Sequence, residues 1–260
     1  MLNVLGHESG HFGAGAALRF DIESQLRGTP GQGWPHPSRE PRHGCCRRRR
    51  RPFHRPTELE RVMEPFRQHT GIVAPLDRAD IDTDQIIPKQ FLKRIERAGY
   101  GQFLFNDWRF AEDGSPRPEF ALNRPEYEGA SILVTRRNFG CGSSREHAAW
   151  ALLDYGFRAV LAPSFADIFR ENADQNGIAA ITLAFDEIDR VLARAADQAP
   201  YELTVNLEAY TVADQDGFIA EFEMDDFRRT CLMEGLDRIG LTLRHEGDIS
   251  TYEDARSGAQ

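Results

Sequence analysis

Between residues 131 and 162 the spacing of apolar residues changes from two to 3.6 and back, and this switch restricts the fold more than any other feature of the chain. Residues 131–135, Ser-Ile-Leu-Val-Thr, are short, β-branched and bounded by turn residues, which predicts a strand. From Glu146 to Tyr155 the helical period places Ala149, Leu152 and Leu153 on one face, Gly156 supplies a stop, and Ala159–Ala162 reads as a buried strand. Strand, helix and strand in succession make a crossover, so at least part of the sheet is parallel. The same reading predicts strands at 70–74, 178–182, 201–206 and 218–222, and helices at 165–172, 186–196, 225–235 and 236–241. In the helix at 165–172, Ile168 and Phe169 form the expected apolar pair. Residues 106–129 carry Asn106, Asp107, Asp113, Gly114, Pro116, Pro118 and Pro125, loop chemistry over a length that usually serves function. One α/β domain with a mixed, partly parallel sheet accounts for the pattern.

Composition separates this domain from what precedes it. The chain has 260 residues, 40% hydrophobic and 28% charged, enough for one sizeable core. Its longest tidy apolar run, residues 148–153, is about a third of the roughly 18 residues a membrane span needs, so no membrane partner is expected. Residues 1–62 hold 11 Arg against 6 acidic residues, a net of +5, whereas residues 63–260 hold 21 basic against 35 acidic, a net of −14. The first part is rich in Gly, Pro and His and shows no amphipathic period, which predicts a disordered N-terminal extension over 1–62. The run Arg47–Arg51 would suit nucleic acid, a membrane surface or a transit signal. Glu8, Asp21, Glu23 and Glu40, the lack of aromatic interleaving and the acidic domain beyond argue against nucleic acid. With Lys only at 89 and 93, the Arg bias points to a GC-rich gene with long spurious frames, so the expectation is that Met63 is the native start. Cys45, Cys46, Cys141 and Cys231 form neither a C-x-x-C pair nor a spaced framework. Disulfides, a self-contained zinc site and an iron–sulfur site on this chain are therefore not expected, and a reducing cytoplasm is. Cys141 reads as a buried small hydrophobe.

Chemistry concentrates in two segments. The first is residues 136–147, Arg-Arg-Asn-Phe-Gly-Cys-Gly-Ser-Ser-Arg-Glu-His. Two glycines between a strand and a helix bring amide N–H groups close to a ligand, and the helix N-terminus favours an anion. Ser143 with Glu146 three residues on also satisfies a capping box, which needs no ligand. Ser144, Arg145, Arg136 and Arg137 favour an anion, because a guanidinium fork matches a carboxylate. The segment lacks the Gly-Lys-Ser/Thr of a P-loop and the third glycine of a dinucleotide fingerprint. The second segment, residues 80–91, opens with Asp80, Asp82 and Asp84 at calcium-loop spacing, but Gln85 and Phe91 stand where the turn glycine and bidentate Glu belong. It reads first as a hydrogen-bonded turn, and Lys89, Lys93 and Arg94 as a solvated helical face.

These segments carry a resemblance. Residues 82–88 (Asp-Thr-Asp-Gln-Ile-Ile-Pro), 138–148, 154–160 and 162–169, followed by 206–208 and 235–243, resemble in order the small subunits of the 3-isopropylmalate dehydratase family. The likeness spans nearly all of 63–260 and none of 1–62. It implies the swivelling β/β/α three-layer domain of the aconitase superfamily, supplied as a separate chain. It also implies a large-subunit partner that holds a 4Fe-4S cluster, with the active site in the cleft between the subunits. The implied reaction is a hydro-lyase step of leucine biosynthesis, 2-isopropylmalate to 3-isopropylmalate through isopropylmaleate, catalysed only by the complex while the cluster iron polarises the departing hydroxyl.

By the same resemblance Ser143 is the general base and Arg145 stabilises its alkoxide. Ser144 and the Gly142 turn hold a substrate carboxylate, and Asp82, Thr83 and Asp84 line the cleft. Lys89 and Gln90, with Phe91 and Leu92, meet the variable side chain of the dicarboxylate substrate. His147 is either a supporting partner or a packed helix histidine. A methylene is worth only about 1–3 kcal/mol of discrimination, so homoaconitase-type and citraconate-type hydro-lyases stay open, as does a non-catalytic dicarboxylate-binding subunit.

Overall fold

The computed structural model describes residues 63–93 and 98–257, all within the second of the chain's two units, Pro56–Gln260. The expectations for residues 1–62 and for Arg94 lie outside the described residues. In chain order the strands are β1 (Gln68–Leu76), β2 (Ile132–Thr135), β3 (Ala159–Ala162), β4 (Ala179–Thr182), β5 (Glu202–Asn206), β6 (Thr211–Ala213) and β7 (Ile219–Glu221). The helices are α1 (Thr83–Ile86), α2 (Asn106–Arg109), α3 (Glu146–Tyr155), α4 (Asp167–Gln175), α5 (Phe185–Asp197), α6 (Asp226–Glu234), α7 (Arg238–Leu243) and α8 (Glu246–Ser257).

The sheet runs β4-β3-β2-β1-β5-β6-β7, and β1 joins two unlike halves. Its second half pairs in parallel with β2, Val73 opposite Ile132 and Leu76 opposite Thr135. Its first half pairs antiparallel with β5, Gln68 opposite Asn206. β2, β3 and β4 continue in parallel, as the crossover predicts, while β5, β6 and β7 form an antiparallel meander.

Alternation along the strands builds a core on each face. Ala74, Leu133, Val160 and Ala180 face α3, α4 and the packed 100–130 segment. Val73, Ile132, Val134, Leu161 and Ile181 face a second core, shared with Leu203, Val205 and Val212 of the antiparallel half and with Ile188, Val191 and Leu192 of α5. The curled sheet and its helices give the mixed α/β layering that the resemblance implies.

Helix α3 has the bounds that its period predicts, because Ala148, Ala149, Ala151 and Leu152 give a small apolar face that packs closely and Gly156 ends it. Leu153 is only half-buried on the edge of that face. Helix α4 begins at Asp167 rather than 165, and Ile168 is 50% exposed while Phe169 is buried. The inward stripe is Phe169 with Ala173, four residues apart, and Ile168 lies one residue off it. Within 106–129 only α2 and two 3-10 turns are regular, but the segment forms a wall of the core through the buried Phe120, Leu122 and Tyr127. The sequence pattern predicts neither β6 nor α8: β6 has three residues, and α8 is exposed along its described residues and carries no apolar stripe. Among the described residues no helix is long and apolar enough to cross a membrane.

Candidate active site

Three loops meet beyond the carboxyl ends of β1, β2 and β3, the end of a parallel sheet where ligands bind in α/β folds. Main-chain bonds lace them together. The Asp80 N–H donates to the Arg137 carbonyl at 2.9 Å, and the Gly140 and Cys141 N–H groups donate to the Ile81 carbonyl at 2.8 and 3.2 Å. The Phe139 N–H donates to the Ser164 carbonyl at 3.1 Å, while Ser164 Oγ accepts from the Asn138 N–H at 2.9 Å. Sequence reasoning gives Ser164 no role, although a Pro-Ser pair directly after a strand signals a loop hydroxyl able to cap a neighbour.

Gly140 is required by contact and conformation together. It has φ +77°, and a Cβ there would stand 2.2 Å from the Phe169 ring of α4. Gly142, at φ +92°, turns the chain so that Ser143 and Ser144 emerge exposed just ahead of α3. The expected capping box at Ser143 and Glu146 does not form. Arg145 occupies the N-cap position without a side-chain cap bond, and the Ser143 carbonyl is held instead by Thr83, whose Oγ1 donates to it at 3.0 Å. The capping box is formed by Asp82 and Gln85: Asp82 Oδ1 accepts from the Gln85 N–H at 2.8 Å, and Gln85 Oε1 accepts from the Asp82 N–H at 3.0 Å. An acidic residue followed three positions later by Gln was the available signal.

The electrostatics centre on Arg145. Its guanidinium, only 15% exposed, is ion-paired with Asp84, which also holds Lys89 Nζ at 3.1 Å. The trio carries a net positive charge beside two exposed serine hydroxyls, within a strongly acidic domain. Among the described residues nothing bonds Ser143 Oγ, so the hydroxyl is available to a ligand. Arg136 and Arg137 do not add to this site as expected. Arg136 is ion-paired with Asp77 and Asp189, which hold its guanidinium well above its ordinary range, and Arg137 pairs with Asp80 at 3.4 Å.

The structure therefore brings Gly142, Ser143, Arg145, Asp82, Thr83, Asp84 and Lys89 together, with Ser144 exposed on the same loop. Thr83 is buried, its hydroxyl committed to Ser143 rather than open to the cleft. Gln90 is exposed on the 3-10 turn 89–93, whereas Phe91 stacks on Phe103 at 4.0 Å and packs with Leu92 against the core. Cys141 is half-buried rather than buried, because its main chain bridges to Asp82 at the loop edge, and partial burial pushes its thiol pKa up. His147 is a packed helix histidine: its ring lies 4.7 Å from Trp150 and 5.5 Å from Tyr100, and burial lowers its pKa. A cleft of about 490 Å³ between residues 119–127 and α5 contains none of the expected site residues; Arg78, Arg124 and Arg136 are in its wall, the last paired there with Asp77 and Asp189. Among the described residues no group of three or more His, Cys, Asp and Glu is placed to hold a metal ion.

Residues 63–186 match the family model of the aconitase C-terminal domain, and residues 189–226 match a model described as LeuD_N. Residues 239–260 match the model of the C-terminal domain of 3-isopropylmalate dehydratase small subunits. The chain is 57% identical over 194 residues to the 3-isopropylmalate dehydratase small subunit of Brevibacillus brevis, covering 75% of this chain and 100% of the relative. It is 58% identical over 195 residues to that of Koribacter versatilis, with the same coverage, 75% and 100%. Among solved structures it is similar to a 3-isopropylmalate dehydratase of Methanocaldococcus jannaschii, with a TM-score of 0.53 at 25% identity, covering 71% of this chain and 99% of that one. The glycine turn, the serine pair and the Arg145 ion pair thus sit on a scaffold shared along the whole length of these relatives, and the chain belongs to the 3-isopropylmalate dehydratase small-subunit family.

Proposed function

We propose that the chain acts as the small subunit of a 3-isopropylmalate dehydratase in leucine biosynthesis. It would work in the cytoplasm, interconverting 2-isopropylmalate and 3-isopropylmalate through isopropylmaleate by reversible loss and re-addition of water. The observation that carries this reading is the exposed Ser143, its hydroxyl unbonded among the described residues, directly after the Gly142 turn and two residues before the ion-paired Arg145, in a chain of this family.

In this reading Ser143 Oγ takes the carbon-bound proton of the substrate and returns a proton in the reverse direction. A free serine hydroxyl is too weak an acid to serve as that base. Arg145 and the N-terminal end of α3 supply the fixed positive field that makes the alkoxide accessible. Asp84 orients Arg145 and, by also holding Lys89, keeps the group net positive. The Ser144 hydroxyl and the Gly142 amide hold a substrate carboxylate, with Asp82 at the cleft edge. Lys89 and Gln90 lie on the side facing the variable group of the substrate. A 4Fe-4S cluster held by the large subunit would polarise the departing hydroxyl, and the active site would be completed only in the complex.

The test is isopropylmaleate formation from 3-isopropylmalate by this chain, by an anaerobically prepared large subunit with its cluster in place, and by the two mixed. Turnover only in the mixture, abolished by Ser143→Ala, is the expected result. An intact, assembled complex without turnover would overturn the substrate assignment and direct the assay to homoaconitate and citraconate.

A further inference from the structure

Among the described residues, Thr83 and Thr135 are the polar residues buried whole, and each spends its hydroxyl on a loop at the carboxyl end of the parallel strands. Thr135 Oγ1 donates to the Arg78 carbonyl at 3.0 Å, at the root of the loop that leads to α1. Thr83 is 2% exposed, and it does more than satisfy itself. Its main-chain N–H donates to the Cys141 carbonyl at 2.9 Å, while its Oγ1 donates to the Ser143 carbonyl at 3.0 Å. One residue therefore grips the chain on both sides of Gly142, the point where a left-handed φ and a missing side chain leave the backbone freest.

Thr83 is itself fixed. It is the first residue of α1, directly after the N-cap Asp82 and inside the Asp82–Gln85 capping box, and its β-branch restricts χ1, so the hydroxyl points one way without further ordering cost. A buried hydroxyl without a partner is costly, which keeps the bond to Ser143 closed. With residues 141 and 143 both tethered, Ser143 retains only its side-chain rotation.

We infer that Thr83 is a positioning residue: its hydroxyl holds Ser143 at the distance and angle from Arg145 that proton transfer requires. This deepens the reading of Ser143 as the base and rests on it. Thr83 touches the backbone of the base and acts through it. Misplacement of a reacting group by about 1 Å costs up to roughly a hundredfold in rate, so the effect belongs in kcat.

The experiment compares Thr83→Val and Thr83→Ser with the unaltered full chain, each assembled with the large subunit. Steady-state kinetics is read together with amide hydrogen exchange over residues 140–145 of the small subunit. Valine keeps the shape and loses the donor, whereas serine keeps the donor. The expected result for Thr83→Val is a kcat lower by roughly ten- to a hundredfold, KM within twofold, an unchanged affinity for the large subunit, and faster exchange at residues 142–145. Thr83→Ser restores most of kcat and of the exchange protection.

Equal losses in both variants would overturn the proposal, because the methyl group rather than the hydroxyl would then be responsible. A raised KM at unchanged kcat would also overturn it, by making Thr83 a substrate contact. Exchange needs no turnover, so unchanged protection in Thr83→Val sinks the proposal even if the complex dehydrates some other substrate. If the unaltered complex and Ser143→Ala are equally active, the reading of Ser143 fails, and the exchange result still decides whether Thr83 holds the loop.

Discussion

The two halves of the sheet treat polar groups in opposite ways. In the antiparallel half, the Asp214 carboxylate is buried and fully used: it accepts from Tyr201 Oη at 2.7 Å and from the Phe218 and Asp216 N–H groups at 2.7 and 2.8 Å, and it pairs with Arg194. Although burial alone would raise its pKa, these bonds hold it below the usual carboxylate range. At the carboxyl end of the parallel half, Ser143 and Ser144 are left exposed, and positive φ angles recur at Asp80, Asn138, Gly140 and Gly142. A fully satisfied polar network rigidifies a core. A polar group held in place but left open is what a substrate needs. On the proposed role of Ser143, this chain separates the work of staying folded from the work of chemistry, with β1 joining the two.

The separation is tested most severely by Ser143→Ala. On the proposed role of Ser143 as the base, its loss should lower kcat of the assembled complex by roughly a hundred- to ten-thousandfold. Because the side chain is exposed, unfolding stability should change by less than about 0.5 kcal/mol. Denaturant titration beside steady-state kinetics checks both, and a large stability loss would show that the open hydroxyl is structural.

Asp214→Ala is the reciprocal change. It strands Arg194, the Tyr201 hydroxyl and two amides around a buried site, and it should cost about 3 kcal/mol of stability. Turnover per folded complex should stay within twofold, measured after correcting for the folded fraction. A large fall in kcat at full folding would break the division between the halves.

Gly140→Ala should blur that division by design. A methyl group at φ +77° is strained and drives into Phe169, so both α4 and the Ser143 loop must shift. A loss of about 2 kcal/mol together with a fall in kcat is expected. Measuring both on one preparation separates this from the two preceding variants, each of which moves a single quantity.

How much of this was readable in the sequence follows the range of each interaction. The bounds of α3 and β3 were legible because an alanine-rich helical face, a stop at Gly156 and a four-residue apolar run are local signals. The capping box at Asp82 and Gln85 had an equally local signal, but the sequence reading placed the box at Ser143 and Glu146 instead. Ser143 reads as an N-cap from its neighbours alone, and only a hydrogen bond from Thr83, 60 residues away, takes its carbonyl out of that role. Arg136 looks like an anion ligand until Asp189, 53 residues further on, neutralises it. α8 escaped because a helix without an apolar stripe leaves no periodic trace. The candidate site residues stand out by type and spacing, whereas the pairings that decide which of them remain free are long-range.

The smallest predicted effect lies at the opposite end of β1, where His69 shares a 2.7 Å hydrogen bond with Ser131 just before β2. Burial, reinforced by the Arg158 charge and opposed by Glu64, lowers the His69 pKa below its ordinary 6.5. Between that lowered value and 6.5 the unfolded chain binds more protons than the folded one, so stability rises with pH across this window. The contribution is fully present above 6.5 and is lost as pH falls through the folded-state value. His147 shifts in the same direction, so the diagnostic quantity is the difference in slope between the unaltered chain and His69→Gln. Unfolding midpoints from pH 5 to 7.5 should fall less steeply on acidification in the variant, while kcat of the assembled enzyme at pH 7.5 stays unchanged. Equal slopes would mean that His69 titrates alike in both states. A fall in kcat would mean that the two ends of the parallel strands are coupled through β1, and the separation drawn between folding and chemistry would then have to move to β5.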